Sequence, residues 1–135
     1  VEPADIDLII LATVTPDMPI PATACTIQHQ LGCVNAASFD MQAGCTGFIY
    51  AQSVAKQFLL GGSARNALVI GGEMLSKYVD WEDRATCVLF ADGAGAALIF
   101  GAGGGQVISP CFTTVAPRTT SSSKSKPLEV PRSAS

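Results

Sequence analysis

Apolar residues in this chain fall into short continuous runs, broken by glycine and proline, that alternate with stretches of helical spacing. Asp7-Leu8-Ile9-Ile10-Leu11-Ala12 is apolar throughout after its first residue, the pattern of a strand covered on both faces. Pro16, Pro19 and Pro21 bar helix until about Ala22. From there Ala24, Ile27 and Leu31 lie one turn apart, and Gly32 supplies a stop. Residues 37–41 have strand character and lead into a helical pattern over 46–60, ended by Gly61-Gly62. In that helix Gln52, Ser53, Lys56 and Gln57 form one narrow polar stripe, so it is expected to be buried on most sides. Residues 67–72 read as another buried strand. Residues 86–90 and 95–100 read as two more, with Asp92-Gly93-Ala94-Gly95 as a hairpin turn between them.

The alternation of strand and helix predicts an α/β fold with a mostly parallel sheet and right-handed crossovers. Beyond about Ser109 no apolar period survives, and four of the eight prolines lie at Pro110, Pro117, Pro127 and Pro131. Residues 1–109 are therefore taken as the domain and 110–135 as an irregular Ser/Thr/Pro-rich tail.

Composition narrows the partners. The chain has 135 residues, 48% of them hydrophobic, enough for one domain with a core. A net charge of −3 and a pI near 4.9 disfavour a nucleic-acid binder, and no basic patch interleaves with aromatics. Four of the eight bases but only Glu129 of the acids lie beyond residue 100, so the two parts differ in kind. No apolar run approaches the ~20 residues that span a bilayer, so no membrane partner is expected. The five cysteines (Cys25, Cys33, Cys45, Cys87, Cys111) are odd in number and form no C-x-x-C pair. They read as reduced thiols of a cytoplasmic protein. The start of the chain has neither a basic nor an apolar export segment, so none is expected.

One cysteine stands apart. Cys45, in Ala43-Gly44-Cys45-Thr46-Gly47-Phe48, falls where strand gives way to helix. A thiol in the first turn of a helix meets unpaired backbone N–H groups and the positive end of the helix dipole, which favour the nucleophilic thiolate. The flanking glycines permit a tight turn and leave backbone open to a substrate. The plainer alternative is a cysteine that merely packs in the core. Because the helix is expected to be buried, its cysteine is expected to sit deep in the protein. His29, the one histidine, projects opposite the Ala24/Ile27/Leu31 stripe and reads as a solvated surface residue, not a catalytic one.

Several separated motifs, in order and at matching spacing, resemble β-ketoacyl-acyl-carrier-protein synthase III. They are Asp5-Ile6-Asp7-Leu8-Ile9-Ile10, Thr15-Pro16-Asp17, Pro21-Ala22-Thr23-Ala24-Cys25, Gln42-Ala43-Gly44-Cys45-Thr46-Gly47-Phe48, Val79-Asp80-Trp81-Glu82-Asp83-Arg84 and Phe90-Ala91-Asp92-Gly93-Ala94-Gly95-Ala96. The likeness covers roughly residues 1–109, similar to the middle of that enzyme's N-terminal half. Elongating ketosynthases place Ser-Ser after the nucleophile, and plant-type polyketide synthases a small-residue and glycine stretch. Thr46-Gly47-Phe48 resembles the initiating enzyme.

The resemblance implies a thiolase-like fold, two similar α/β halves layered around a buried helix, in a homodimer. It implies that Cys45 takes an acyl group from acyl-CoA and passes it to the carbanion left when malonyl-acyl-carrier-protein loses carbon dioxide. Arg84 aligns with the arginine that contacts the CoA adenine, Ile20 with the residue that reaches across the dimer into the acyl pocket, and Leu75 and Phe90 with its wall; ordinary core is the other reading of these last two. No metal and no cofactor beyond these substrates is implied. The family's catalytic histidine and asparagine belong to its C-terminal half, and His29, Asn35 and Asn66 do not fall at their places. The alternative is thus a non-catalytic remnant that retains CoA contacts or a dimer interface.

Overall fold

Strand β1 (Leu8–Ala12) is buried along its whole length, as its unbroken apolar run requires. Alternate side chains leave it for opposite faces. Leu8, Ile10 and Ala12 enter one core with Ala51, Ala55, Leu59, Val69 and Ile99. Ile9 and Leu11 enter the other with Ala24, Cys33 and Ala36. A computed structural model describes residues 1–102 and 105–109 and places β1 at the centre of its three parallel strands.

The sheet runs β2-β1-β3-β4-β5, with β2 at Ala37–Met41, β3 at Asn66–Met74, β4 at Asp92–Ala102 and β5 at Gly105–Ser109. Parallel ladders join β1 to β2 (Leu8 opposite Ala37) and to β3 (Leu8 opposite Ala67). The ladders from β3 to β4 and from β4 to β5 are antiparallel. The fold is α/β as expected, but the sheet is mixed where a mostly parallel one was read. The cause is β4, which follows β3 without an intervening α-helix and so returns antiparallel.

Helix α1 (Thr23–Leu31) covers one face of the sheet and helix α2 (Gly47–Leu60) the other. Gly32 closes α1 in the left-handed conformation at φ 73°, the stop that the sequence predicts. His29 is exposed, again as predicted. Small residues let α2 lie close to the strands. Gly47, Ala51, Ala55 and Leu59, one turn apart, form its buried face. A Cβ on Gly47 would stand 3.3 Å from that of Ala12, and one on Gly71 would stand 3.2 Å from the Phe48 ring.

Three expectations are corrected. Helix α2 is not buried on most sides: Ile49, Tyr50 and Leu60 are exposed, because among the described residues only its sheet-facing stripe packs on a partner. Residues 86–90 are not a strand. They belong to a run of turns in which Asp83 accepts the Ala85 N–H (3.0 Å) and the Thr86 hydroxyl (2.7 Å), the local side-chain bonding by which Asp competes with strand. Asp92-Gly93-Ala94-Gly95 is no hairpin turn but the start of β4, opposite Met74, Glu73, Gly72 and Gly71. Strand β5 was not anticipated, and the expected tail, residues 110–135, lies outside the described residues.

Candidate active site

Loops beyond the carboxyl ends of the three parallel strands carry the five residues that the sequence assigns to the site. The loop after β1 carries Ile20, the turn after β2 carries Cys45, and the connection from β3 to β4 carries Leu75, Arg84 and Phe90. Loops beyond the carboxyl ends of strands are where open α/β sheets place ligand sites.

Cys45 occupies a single 3-10 turn, Gly44–Thr46, that runs straight into α2. Gly44 adopts φ 55°, the left-handed region that glycine enters without strain, and a Cβ there would meet nothing within 4 Å. The Thr46 hydroxyl donates to the Ala43 carbonyl (3.0 Å) and closes the turn. Gly47 against Ala12 then fixes the start of α2 over the end of β1. Cys45 is exposed, not deep in the protein as expected, because the turn lies beyond the strand ends and the exposed side of α2 adjoins it. The first N–H groups of such a turn have no intrahelical acceptor.

The other four, on loops at the same end of the sheet, differ in exposure. Ile20 is 86% exposed and Phe90 47%. Arg84 is exposed, and Leu75, the first residue of the 3-10 turn Leu75–Lys77, is half-buried. None of the four belongs to either core. Ser76 donates both its backbone N–H (2.8 Å) and its hydroxyl (2.6 Å) to Asp92, fastening the Leu75 turn to the start of β4. Those two bonds, the hydroxyl first, hold the Asp92 carboxyl below its usual range.

Carboxylates that the sequence reading passed over hold this end together. Glu73, near the end of β3, accepts the Val14 N–H (2.9 Å) and the Thr15 hydroxyl (2.7 Å). Asp40, on β2, accepts the N–H groups of Thr23 (2.8 Å) and Ala24 (2.8 Å), capping α1 across separations of 17 and 16 residues. A cue was present: Thr13 and Thr15 follow directly on a buried apolar run, so their hydroxyls need partners. Nothing local says which carboxylate provides them.

His29, Asn35 and Asn66 cluster at the other end of the strands. The Asn35 and Asn66 side-chain amides donate to the carbonyls of Ala4 (2.9 Å) and Asp5 (2.9 Å), in the segment before β1, while His29 lies in the last turn of α1. Among the described residues no group of three or more His, Cys, Asp or Glu side chains could hold a metal ion. No helix among them is long and apolar enough to cross a membrane.

Comparison with known proteins places the chain in a family. The family profile described as 3-oxoacyl-[acyl-carrier-protein (ACP)] synthase III matches residues 39–114. The β-ketoacyl-[acyl-carrier-protein] synthase III of Caldanaerobacter subterraneus subsp. tengcongensis is 59% identical over 98 residues, 73% of this chain and 30% of that protein. Its counterpart from Clostridium acetobutylicum is 51% identical over 112 residues, 83% of this chain and 34% of that protein. Among solved structures, 3-oxoacyl-[acyl-carrier-protein] synthase III from Aquifex aeolicus superposes with a TM-score of 0.74 at 52% identity, covering 76% of this chain and 33% of that one. The chain thus spans about a third of the length of the relatives it matches. With its thiolase-like α/β layers and its cysteine turn inside the matched segment, this chain belongs to the 3-oxoacyl-[acyl-carrier-protein] synthase III family.

Proposed function

We propose that this chain is the acyl-accepting part of a condensing enzyme that initiates fatty acid biosynthesis. The Cys45 sulfur attacks the thioester carbonyl of an acyl-CoA; the carbon–sulfur bond to CoA breaks, CoA leaves as its thiol, and the acyl group remains on Cys45. Malonyl-acyl-carrier-protein then loses carbon dioxide, and the carbanion so formed attacks the acyl carbonyl. The new carbon–carbon bond gives a β-ketoacyl-carrier product and returns the cysteine. The backbone N–H of Cys45 serves as one donor to the developing oxyanion. Arg84, a planar cation, stacks on the CoA adenine, and Ile20, Leu75 and Phe90 border the acyl chain. Acyl-CoA and acyl carrier protein are the partners, with neither nucleic acid nor membrane, in a cytoplasmic homodimer that needs no cofactor.

A single observation carries this reading: an exposed cysteine stands in the one turn that opens α2, within the segment that matches the family profile. The test is incubation of the chain with acetyl-CoA, followed by peptide mapping. Acetyl on Cys45, and its loss in Cys45→Ala, supports the reading; CoA released without a Cys45 adduct, or no release, overturns it.

The second reading, a non-catalytic chain that keeps CoA contacts or an interface, is favoured by the placement of His29, Asn35 and Asn66 at the opposite end of the sheet from Cys45. CoA binding without acylation would select it.

A further inference from the structure

Ile20 is 86% exposed, so packing within this chain does not fix it. Its place is set by the backbone anchors on either side. At the far end Asp40 holds the Thr23 and Ala24 N–H groups, and the Thr23 hydroxyl oxygen accepts the Asp17 N–H (3.1 Å). At the near end the anchor is Glu73. Its carboxylate accepts the Val14 N–H and the Thr15 hydroxyl, with the Thr13 hydroxyl at 3.4 Å. Thr13 and Thr15 are each only 6% exposed. Their remaining lone pairs are engaged as well: Thr15 accepts the Met74 N–H (2.8 Å) and Thr13 accepts the Thr15 N–H (3.1 Å). Each donor in this cluster points toward the carboxylate, directly or through a threonine oxygen. Removing the carboxylate strands buried donors, which is costly.

We propose that Glu73 is a positioning residue for acyl-chain selection. By fixing residues 13–15 at the end of β3 it sets the path of the loop that presents Ile20, and so sets which acyl-CoA Cys45 takes, although it touches no acyl group. The inference rests on the reading of Cys45 as acyl acceptor and Ile20 as a pocket residue.

The experiment offers the full chain an equimolar mixture of acetyl-CoA and isobutyryl-CoA and measures the ratio of the two Cys45 adducts by mass spectrometry. A ratio does not depend on how much of a variant is folded, so a purely structural defect does not move it. Glu73→Ala and Thr15→Val are expected to shift it by about 2- to 30-fold, the range of mutations that act through a packed network. Glu73→Gln, which keeps a carbonyl oxygen for Val14, should shift it less. Amide exchange should rise over residues 13–22 in the same order, with β1 and α2 unchanged. If Ile20→Ala moves the ratio and neither Glu73→Ala nor Thr15→Val does, the proposal is overturned while the pocket reading stands. If Ile20→Ala also leaves it unmoved, the pocket reading falls and the proposal with it. Absence of both adducts in the unaltered chain overturns the acyl-transfer reading on which both depend. Exchange that rises throughout β1 and α2 shows a structural role alone and likewise overturns the proposal.

Discussion

At the scale of single residues, the described cysteines differ in ways a reagent can measure. Cys45 is exposed, Cys25 and Cys87 are half-buried, and Cys33 is 1% exposed, with burial pushing its thiol up so that little thiolate is present near neutral pH. Cys25 is further engaged, its thiol directed at the Ser38 carbonyl at 3.6 Å. We therefore expect iodoacetamide near pH 7 to label Cys45 before Cys25 and Cys33 in the folded chain, as peptide mapping over time will show. Equal rates for the three would remove the case for a distinct nucleophile. The turn that carries Cys45 was legible in advance, because glycines around a cysteine at a strand-to-helix junction leave few other readings. Its exposure was not, since the polar stripe of α2 counts apolar residues without saying which of them have partners. Glu73 and Asp40 were invisible for another reason. Their hydrogen-bond partners lie 58–60 and 16–17 residues away, and no local period reports a contact of that range.

At the scale of elements, continuous apolar runs were the best guide and small residues the worst. Strand β1 and the stop of α1 at Gly32 stand where the pattern puts them. Strand β4 was misread because Asp92-Gly93-Ala94-Gly95 has the composition of a turn, glycine and alanine being depleted in strands. Pairing with β3 over nine residue pairs overrides that preference. The apolar run at 86–90 misled in the opposite direction, since Val88 (73%) and Leu89 (71%) stay exposed and the Asp83 bonds hold turns there. Helix α1 offers a direct test of an anchor that only the fold reveals. Its own N-cap position, Ala22, makes no side-chain bond, and Asp40 supplies the cap from β2. Asp40→Ala should cost about 1 kcal/mol, within the 0.5–2 measured for lost caps, read as a shift of the urea midpoint at unchanged slope. Asp40→Asn, which keeps one acceptor oxygen, should recover part of it.

At the scale of the whole molecule, acid stability follows from the pairing at the amino ends of the strands. The Arg65 guanidinium grips Asp7 with a two-pronged bond (3.2 and 3.1 Å), and the Arg65 backbone N–H adds a third at 2.8 Å. The Arg65 side chain first, then that backbone N–H, holds the Asp7 carboxyl below its ordinary value. A depressed carboxyl contributes stability above the unfolded value, near 3.9, and loses it as pH falls through the lower folded value. Thermal unfolding followed from about pH 5 down to about pH 2 should thus show a steeper loss below about 4 for the unaltered chain than for Asp7→Asn. Parallel curves would mean that the ion pair contributes nothing. Arg65 is 76% exposed, so the difference should shrink in high salt.

Overall chemistry divides between the two ends of the sheet. Cys45 stands at the carboxyl ends of β1, β2 and β3, whereas the one histidine and both asparagines stand at or near the amino ends, with both asparagine amides bound to backbone carbonyls. A decarboxylation needs donors beside the acylated sulfur, and these three residues stand at the opposite end of the sheet from it. We expect the chain by itself to form the acyl-enzyme but no β-ketoacyl product, since each missing oxyanion donor costs on the order of 10²–10³ in rate. The measurement is product formation from acetyl-CoA and malonyl-acyl-carrier-protein, by the chain alone and then mixed with a separately produced C-terminal half of a family member. Product that appears only in the mixture, and disappears with Cys45→Ala, would show that acyl transfer and decarboxylation reside on different pieces. Full activity from the chain alone would require a decarboxylating group among its own residues, and Glu73, a half-buried carboxylate at the same end of the sheet as Cys45, would then be the first to replace.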